Sequence, residues 1–208
     1  AAQAQMFTDP GFDAQYKARQ WAEMDKAAQA RLASRSDDRQ AVLAAALVSH
    51  QPKATADQRR AAMARAEACV QAQPQAADCQ FALGSTLGVH AMHEGLMAMA
   101  GSIGRVKTAL TEAHTLAPAW YPARSGLVGF YVLAPGFMGG SRDKATELAR
   151  TAPTPEQVRV LQAFLALNVD NKPEQALQAL QAHKPGSDSA LDEDVREWAL
   201  EAAFRLLN

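Results

Sequence analysis

Five histidines, two cysteines, a glycine-rich turn and an acidic run are the features of this chain whose residue types could do chemistry. His90, Met92, His93, Glu94, Met97 and Met99 fall within ten positions. On a continuous helix His90, His93 and Met97 share one face, at i, i+3 and i+7. Imidazole with thioether is a copper(I) donor set, and the histidine pair could enter a zinc site. The His-Glu-x-x-His order of metalloproteases is missing, however, and no cysteine lies near enough in sequence to complete a set. Adaptable methionines at helical spacing also suit packing. No metal ligand is therefore assigned, and no cofactor is expected. His50, His114 and His183 are scattered and form no motif.

The turn Gly136-Phe137-Met138-Gly139-Gly140-Ser141 invites comparison with a phosphate loop. It fails the pattern, because Lys144 does not directly follow a glycine and no strand precedes the turn. A structural role accounts for it better. Pro135 stops one helix, the glycines adopt conformations closed to other residues, and Ser141 caps the next helix. No Gly-x-Ser-x-Gly elbow is present, and Ser125-Gly126 lies within a helical stretch without the turn such an elbow needs. Asp192, Glu193 and Asp194 open a helix, where they complement the positive end of its dipole. No catalytic residue is assigned, and the chain is expected not to be an enzyme.

Cys69 and Cys79 are the only cysteines, ten positions apart across the turn that contains Pro74. A chain folding back at that proline brings them to similar heights on adjacent antiparallel helices, which predicts a disulfide if their Cα atoms come within ~7 Å. The alternative is that Cys69 is a small buried thiol. The first residues, Ala1-Ala2-Gln3-Ala4-Gln5, have no initiator methionine and resemble a mature end left after signal-peptide removal. A trimmed chain would look the same. Export to the bacterial periplasm, an oxidising compartment, favours the bond.

The elements that must position these residues are helices. Of 208 residues 46 are alanine, the best helix former, against 12 valines and isoleucines, too few for a buried sheet. Ten helical segments follow from apolar spacing and breakers: 11–33, 38–50, 56–73, 77–100, 103–116, 120–133, 142–151, 155–168, 173–183 and 189–207. One-sided stripes such as Ile103, Val106, Leu110 and Ala113 need a neighbour each. Segment 77–100 is expected as one long helix, or two halves bent near Gly88 or Gly95. A formal net charge of −1 gives no basic footprint for nucleic acid, and no apolar run reaches the ~20 residues of a membrane span.

Pro74, Pro118 and Pro153 each close a helix, at spacings of 44 and 35 residues. A 34-residue helix pair is the tetratricopeptide period. Cys69 and Ala113 hold the small-residue slot five positions before Pro74 and Pro118. Leu83-Gly84 with Leu87 fits the following helix, as do Leu127 and Tyr131 after Pro118. Ala176, Leu177 and Leu180 continue the theme. On these residues the chain resembles a divergent tetratricopeptide group of exported bacterial proteins, with Phe130-Tyr131, Ala134-Pro135-Gly136 and Gly139-Gly140-Ser141 before Lys144-Ala145. The resemblance covers about residues 56–183.

It implies an all-α fold of stacked antiparallel helix pairs, a right-handed solenoid of about ten helices forming a single domain over 1–208. Residues 1–52 would supply N-terminal capping helices, 56–183 the repeats and 189–207 a C-terminal cap. The expected function is a periplasmic adaptor whose concave face takes a protein or peptide partner. The rival is a binder of a small solute or of copper or zinc, such as a ligand-delivery subunit of a transporter. An open mixed groove would favour the first and an enclosed polar pocket the second.

Overall fold

The computed structural model describes residues 4–208, leaving aside the side chains of Leu96 and Ala98; the expected mature end at Ala1-Ala2-Gln3 lies outside the described residues. The chain is all-helical: 76% of it is helix, with eleven α-helices and no strand among the described residues. The contacts form two compact units, one spanning Phe7–Pro118, the other Ala119–Asn208 together with the N-terminal residues up to Met6. The boundary falls inside the stretch 56–183 read as repeats.

The first unit holds α1 (Pro10–Lys17), α2 (Trp21–Ser34), α3 (Arg39–Ser49), α4 (Ala56–Ala72), α5 (Ala77–Glu94) and α6 (Leu96–Leu116). The segment expected as one helix over 11–33 is two. Arg19 takes a positive φ of 55° and ends α1, a backbone choice that its residue type does not advertise. Asp9 starts α1 by accepting from the amides of Gly11 and Phe12, with Pro10 at the first helical position. Helix α3 is the centre of the unit. Ala41 through Ser49 are all buried, and α2, α4 and α5 each pack on it. Asp38 caps α3 through the Ala41 amide and is itself held by Arg31 at 2.9 Å and Arg35 at 2.8 Å. Burial works against both Asp9 and Asp38 as anions. The hydrogen bonds from these arginines and from backbone amides outweigh it, so both carboxyls sit below their ordinary range.

Helix α4 starts with a full capping box, Thr55 with Gln58. It ends before Gln73-Pro74, and α6 ends in the same way before Ala117-Pro118. The two end residues share a backbone geometry, φ −138° with ψ 68° at Gln73 and 69° at Ala117. Between α4 and α5 the predicted disulfide is present, Cys69 to Cys79 with Cα atoms 5.5 Å apart. Both sulfur-bearing residues are buried. Helices α5 and α6 run antiparallel, with Gly84 against Leu110 and Gly88 against Val106.

The second unit holds α7 (Tyr121–Leu133), a 3-10 turn (Gly136–Met138), α8 (Arg142–Arg150), α9 (Pro155–Asn168), α10 (Pro173–Gln181) and α11 (Ser189–Leu207). Successive helices pack as neighbours, and α11 also reaches α7 and α9. Buried Arg124 of α7 bonds the Leu148 carbonyl of α8 at 2.8 Å. The residues just before Phe7 close the start of α11: the Ala4 carbonyl accepts from the Ala190 amide at 2.9 Å, and the Ser189 hydroxyl accepts from the Met6 amide at 3.0 Å. These contacts satisfy helix-start groups that would otherwise be orphaned.

Candidate functional site

A concavity of the first unit lies between α2 and α4, with the last turn of α3 as its floor. Two adjoining clefts make it up, of about 610 and 310 Å³, sharing Asp25, Val48 and Gln58. The floor is Ala45, Val48 and Ser49, small residues that leave room because α3 spends its larger side chains on the core. Ser49 turns its hydroxyl back onto the Ala46 carbonyl at 2.6 Å, so the floor offers methyl surface rather than a free donor.

The walls differ in character from one end to the other. At the wide end the loop before α2 supplies Arg19 and Gln20, the first residue of α2 is Trp21, and the loop before α4 supplies Gln51, Pro52 and Lys53. Trp21 is fixed edge-on against Tyr16, ring centroids 5.7 Å apart, with the Arg19 guanidinium over its ring at 5.4 Å from the centroid. At the narrow end Arg65 of α4 reaches Gln29 of α2 at 2.7 Å and ties the two walls together. Glu23, Asp25 and Asp57 balance Arg19, Lys53 and Arg65 around the rim. Such a trough can hold an extended or helical segment by contact with Trp21, Pro52 and Val48, with polar anchors along both sides.

The second unit carries a denser polar cluster. His183 lies between two carboxylates, Nδ1 at 2.6 Å from Glu156 Oε1 and Nε2 at 2.7 Å from Asp192 Oδ1. Each contact is a hydrogen bond only with a proton between the two atoms. Asp192 also accepts from the Gly186 amide at 3.1 Å. Two residues on, Asp194 Oδ2 accepts from Tyr121 at 2.7 Å and Ser125 at 2.6 Å, both on α7. Burial pushes the Asp194 carboxyl up to about 7, and nearby Glu197 adds to the push against the opposing effect of those two hydrogen bonds. This cluster joins α7, α9 and α11. Ser125 donates to a carboxylate, and the sole histidine of the unit has both nitrogens committed, so no imidazole is left to activate that hydroxyl.

The acids read as dipole complements thus do more than that: Asp192 and Asp194 reach other elements, and only Asp192 lies in the first turn of α11. The glycine-rich turn behaves as the sequence suggests. Gly139 takes φ 101°, a Cβ on Gly140 would meet the Ala134 carbonyl at 1.9 Å, and Ser141 caps α8 through the Lys144 amide at 3.3 Å. His90, His93 and Met97 are not on one helix. Gly95, φ 88° and ψ −172°, ends α5 and starts α6, so the i, i+7 relation to Met97 is lost. Met92 and Met97 are 63% and 89% exposed, which removes packing as their role. Among the described residues no group of three or more His, Cys, Asp or Glu side chains is placed to hold a metal ion. The trough was missed in the sequence because two separated stretches, 19–29 and 45–65, line it, and the His183–Glu156 pair because 27 positions separate its members. No family model matches the chain, and no curated protein matches it.

Proposed function

We propose that the chain is a helical-repeat interaction protein that takes a peptide segment of a protein partner in the α2–α3–α4 trough, and that it works without catalysis in the bacterial periplasm. The observation that carries this reading is the trough itself: open to solvent, mixed in lining, with a fixed aromatic at the wide end and the Arg65–Gln29 bond across the narrow end. Both clefts are open rather than enclosed, which favours an extended partner over a small solute or a metal ion. Two further observations support the rest. The shared geometry at Gln73 and Ala117, each four residues after a small buried residue, is what a repeated helix-pair unit needs. A disulfide between two helices accords with an oxidising compartment.

Ala22 and Ala61 are exposed on opposite walls, so a tryptophan at either site fills the trough without touching the core. Peptides selected from a random library against the full chain should shift the amide resonances of Trp21, Val48, Gln58 and Arg65. Ala22→Trp and Ala61→Trp should each weaken those peptides at least about tenfold, a loss of ~1.4 kcal/mol, at unchanged melting temperature. Resonance shifts confined to other surfaces would show the reading wrong.

A further inference from the structure

Helix α11 has two apolar faces. Leu191, Val195 and Ala202 are buried against the unit, which α11 meets through α7, α9 and α10. Leu200, Phe204 and Leu207 remain 61%, 67% and 85% exposed. At 3.6 residues per turn these two sets lie on opposite sides of the helix. A helix that is apolar on opposite sides has a use for neighbours on both, and the described residues cover one of them. The charged groups near the open stripe are tied within the chain. Arg205 bonds the Leu167 carbonyl at 2.6 Å, Asn168 at 2.8 Å and Glu201. Arg196 turns to Glu193 at 3.8 Å.

We propose that the open stripe is a self-association surface on which α11 of a second copy packs antiparallel about a two-fold axis. The spacing of the stripe fits this occupant. Steps of four and then three residues read almost the same in reverse. Leu200 then lies opposite the partner's Leu207, and Phe204 opposite the partner's Phe204, as an isologous contact requires. The size of the patch sets the strength. Taking ~200 Å² as the surface of a large apolar side chain, the three residues expose on the order of 400 Å² per copy. Pairing them buries on the order of 800 Å², below the ~1,200 Å² of standard stable interfaces, so the dimer is weak and concentration-dependent. A lipid surface fits less well. An interfacial helix needs a basic polar face, whereas α11 carries Asp192, Glu193, Asp194, Glu197 and Glu201 against Arg196 and Arg205.

Sedimentation velocity of the full chain, from low micromolar to near-millimolar concentration, tests the proposal. The weight-average mass should rise from 22.3 kDa toward about twice that value, with half-association in the upper part of the range. Phe204→Glu and Leu207→Glu should each hold the chain at monomer mass, with unchanged circular dichroism because both side chains are solvent-exposed. Oxidising a mixture of Leu200→Cys and Leu207→Cys chains should yield cross-linked dimers between the two variants in excess over either variant alone. A constant monomer mass across the range overturns the proposal, as does a dimer that persists in both glutamate variants or a cross-link that forms equally within Leu200→Cys chains.

Discussion

A methyl group added at Gly84 would come within 2.7 Å of Leu110 Cγ and 3.2 Å of the Leu110 amide nitrogen. The close approach of α5 and α6 therefore depends on a missing side chain. Gly84→Ala gains ~1 kcal/mol in helix propensity but forces the pair apart, and overpacking of this kind costs ~1–3 kcal/mol. The expected outcome is a lower melting temperature. Gly104, inside α6 with nothing within 4 Å of an added Cβ, is the matched control. Gly104→Ala should raise the melting temperature, since there only the propensity acts. The disulfide is a second residue-scale feature with a definite size. Removing it with Cys69→Ala and Cys79→Ala together should cost roughly 2–3 kcal/mol in the chain-entropy estimate for so short a loop. Urea unfolding of the double variant beside the oxidised parent measures it, and equal midpoints would show that the bridge adds nothing to stability.

Most element boundaries were legible because their causes are local. Proline after Gln73, Ala117 and Ala152, serine at 141 and threonine at 154 act within a turn of where they stand, and the helices end or start where they point. Three breaks were misjudged. The one expected between residues 100 and 103 is absent, because α6 runs unbroken from Leu96 to Leu116. The other two failed for opposite reasons. At Arg19 a non-glycine residue takes a left-handed conformation, which no sequence signal demands. At Gly95 the glycine was noted, but a bend was expected where the chain in fact reverses, because α5 and α6 each carry an apolar face that only the other can cover. The backbone of Gly95 lies in a region essentially reserved for glycine. An alanine there meets no steric obstacle in space, only strain of ~1–3 kcal/mol. Gly95→Ala should therefore speed amide exchange around residues 91–99 while leaving the α4–α5 region protected. Uniform acceleration across the unit would show that the reversal is coupled to the whole core.

Acidity should act on the molecule with opposite signs in its two units. His50 is half-buried with its Nε2 enclosed and unpartnered, and desolvation lowers it from 6.5 to about 4. The folded first unit binds its proton less readily than the unfolded chain. Its stability is full above pH ~6.5 and declines as the pH falls toward 4. Asp194 is the reverse case, raised from 3.8 to about 7. The folded second unit holds that proton more tightly, so its contribution is full below pH ~4 and is lost as the pH rises through 7. Global melting near pH 5–6 should change little, because the slopes oppose. Amide exchange resolved by unit should show α3 loosening and α11 tightening between pH 7 and pH 5. His50→Gln should flatten the first trend and Asp194→Asn the second. Parallel trends in the two units would contradict this assignment.

The sequence by itself determined the helical class, most of the helix ends, the capping of α8 and the pairing of Cys69 with Cys79. Each depends on residues within about ten positions of one another, where chain connectivity already limits the geometry. Tertiary structure alone decided that Ala41 through Ser49 of α3 are all buried, that His183 meets Glu156 from 27 positions away, and that α2 and α4 stand apart over Val48. These facts depend on which apolar faces meet. Alanine-rich stripes of similar width could meet in several ways, and only the packed whole selects one of them.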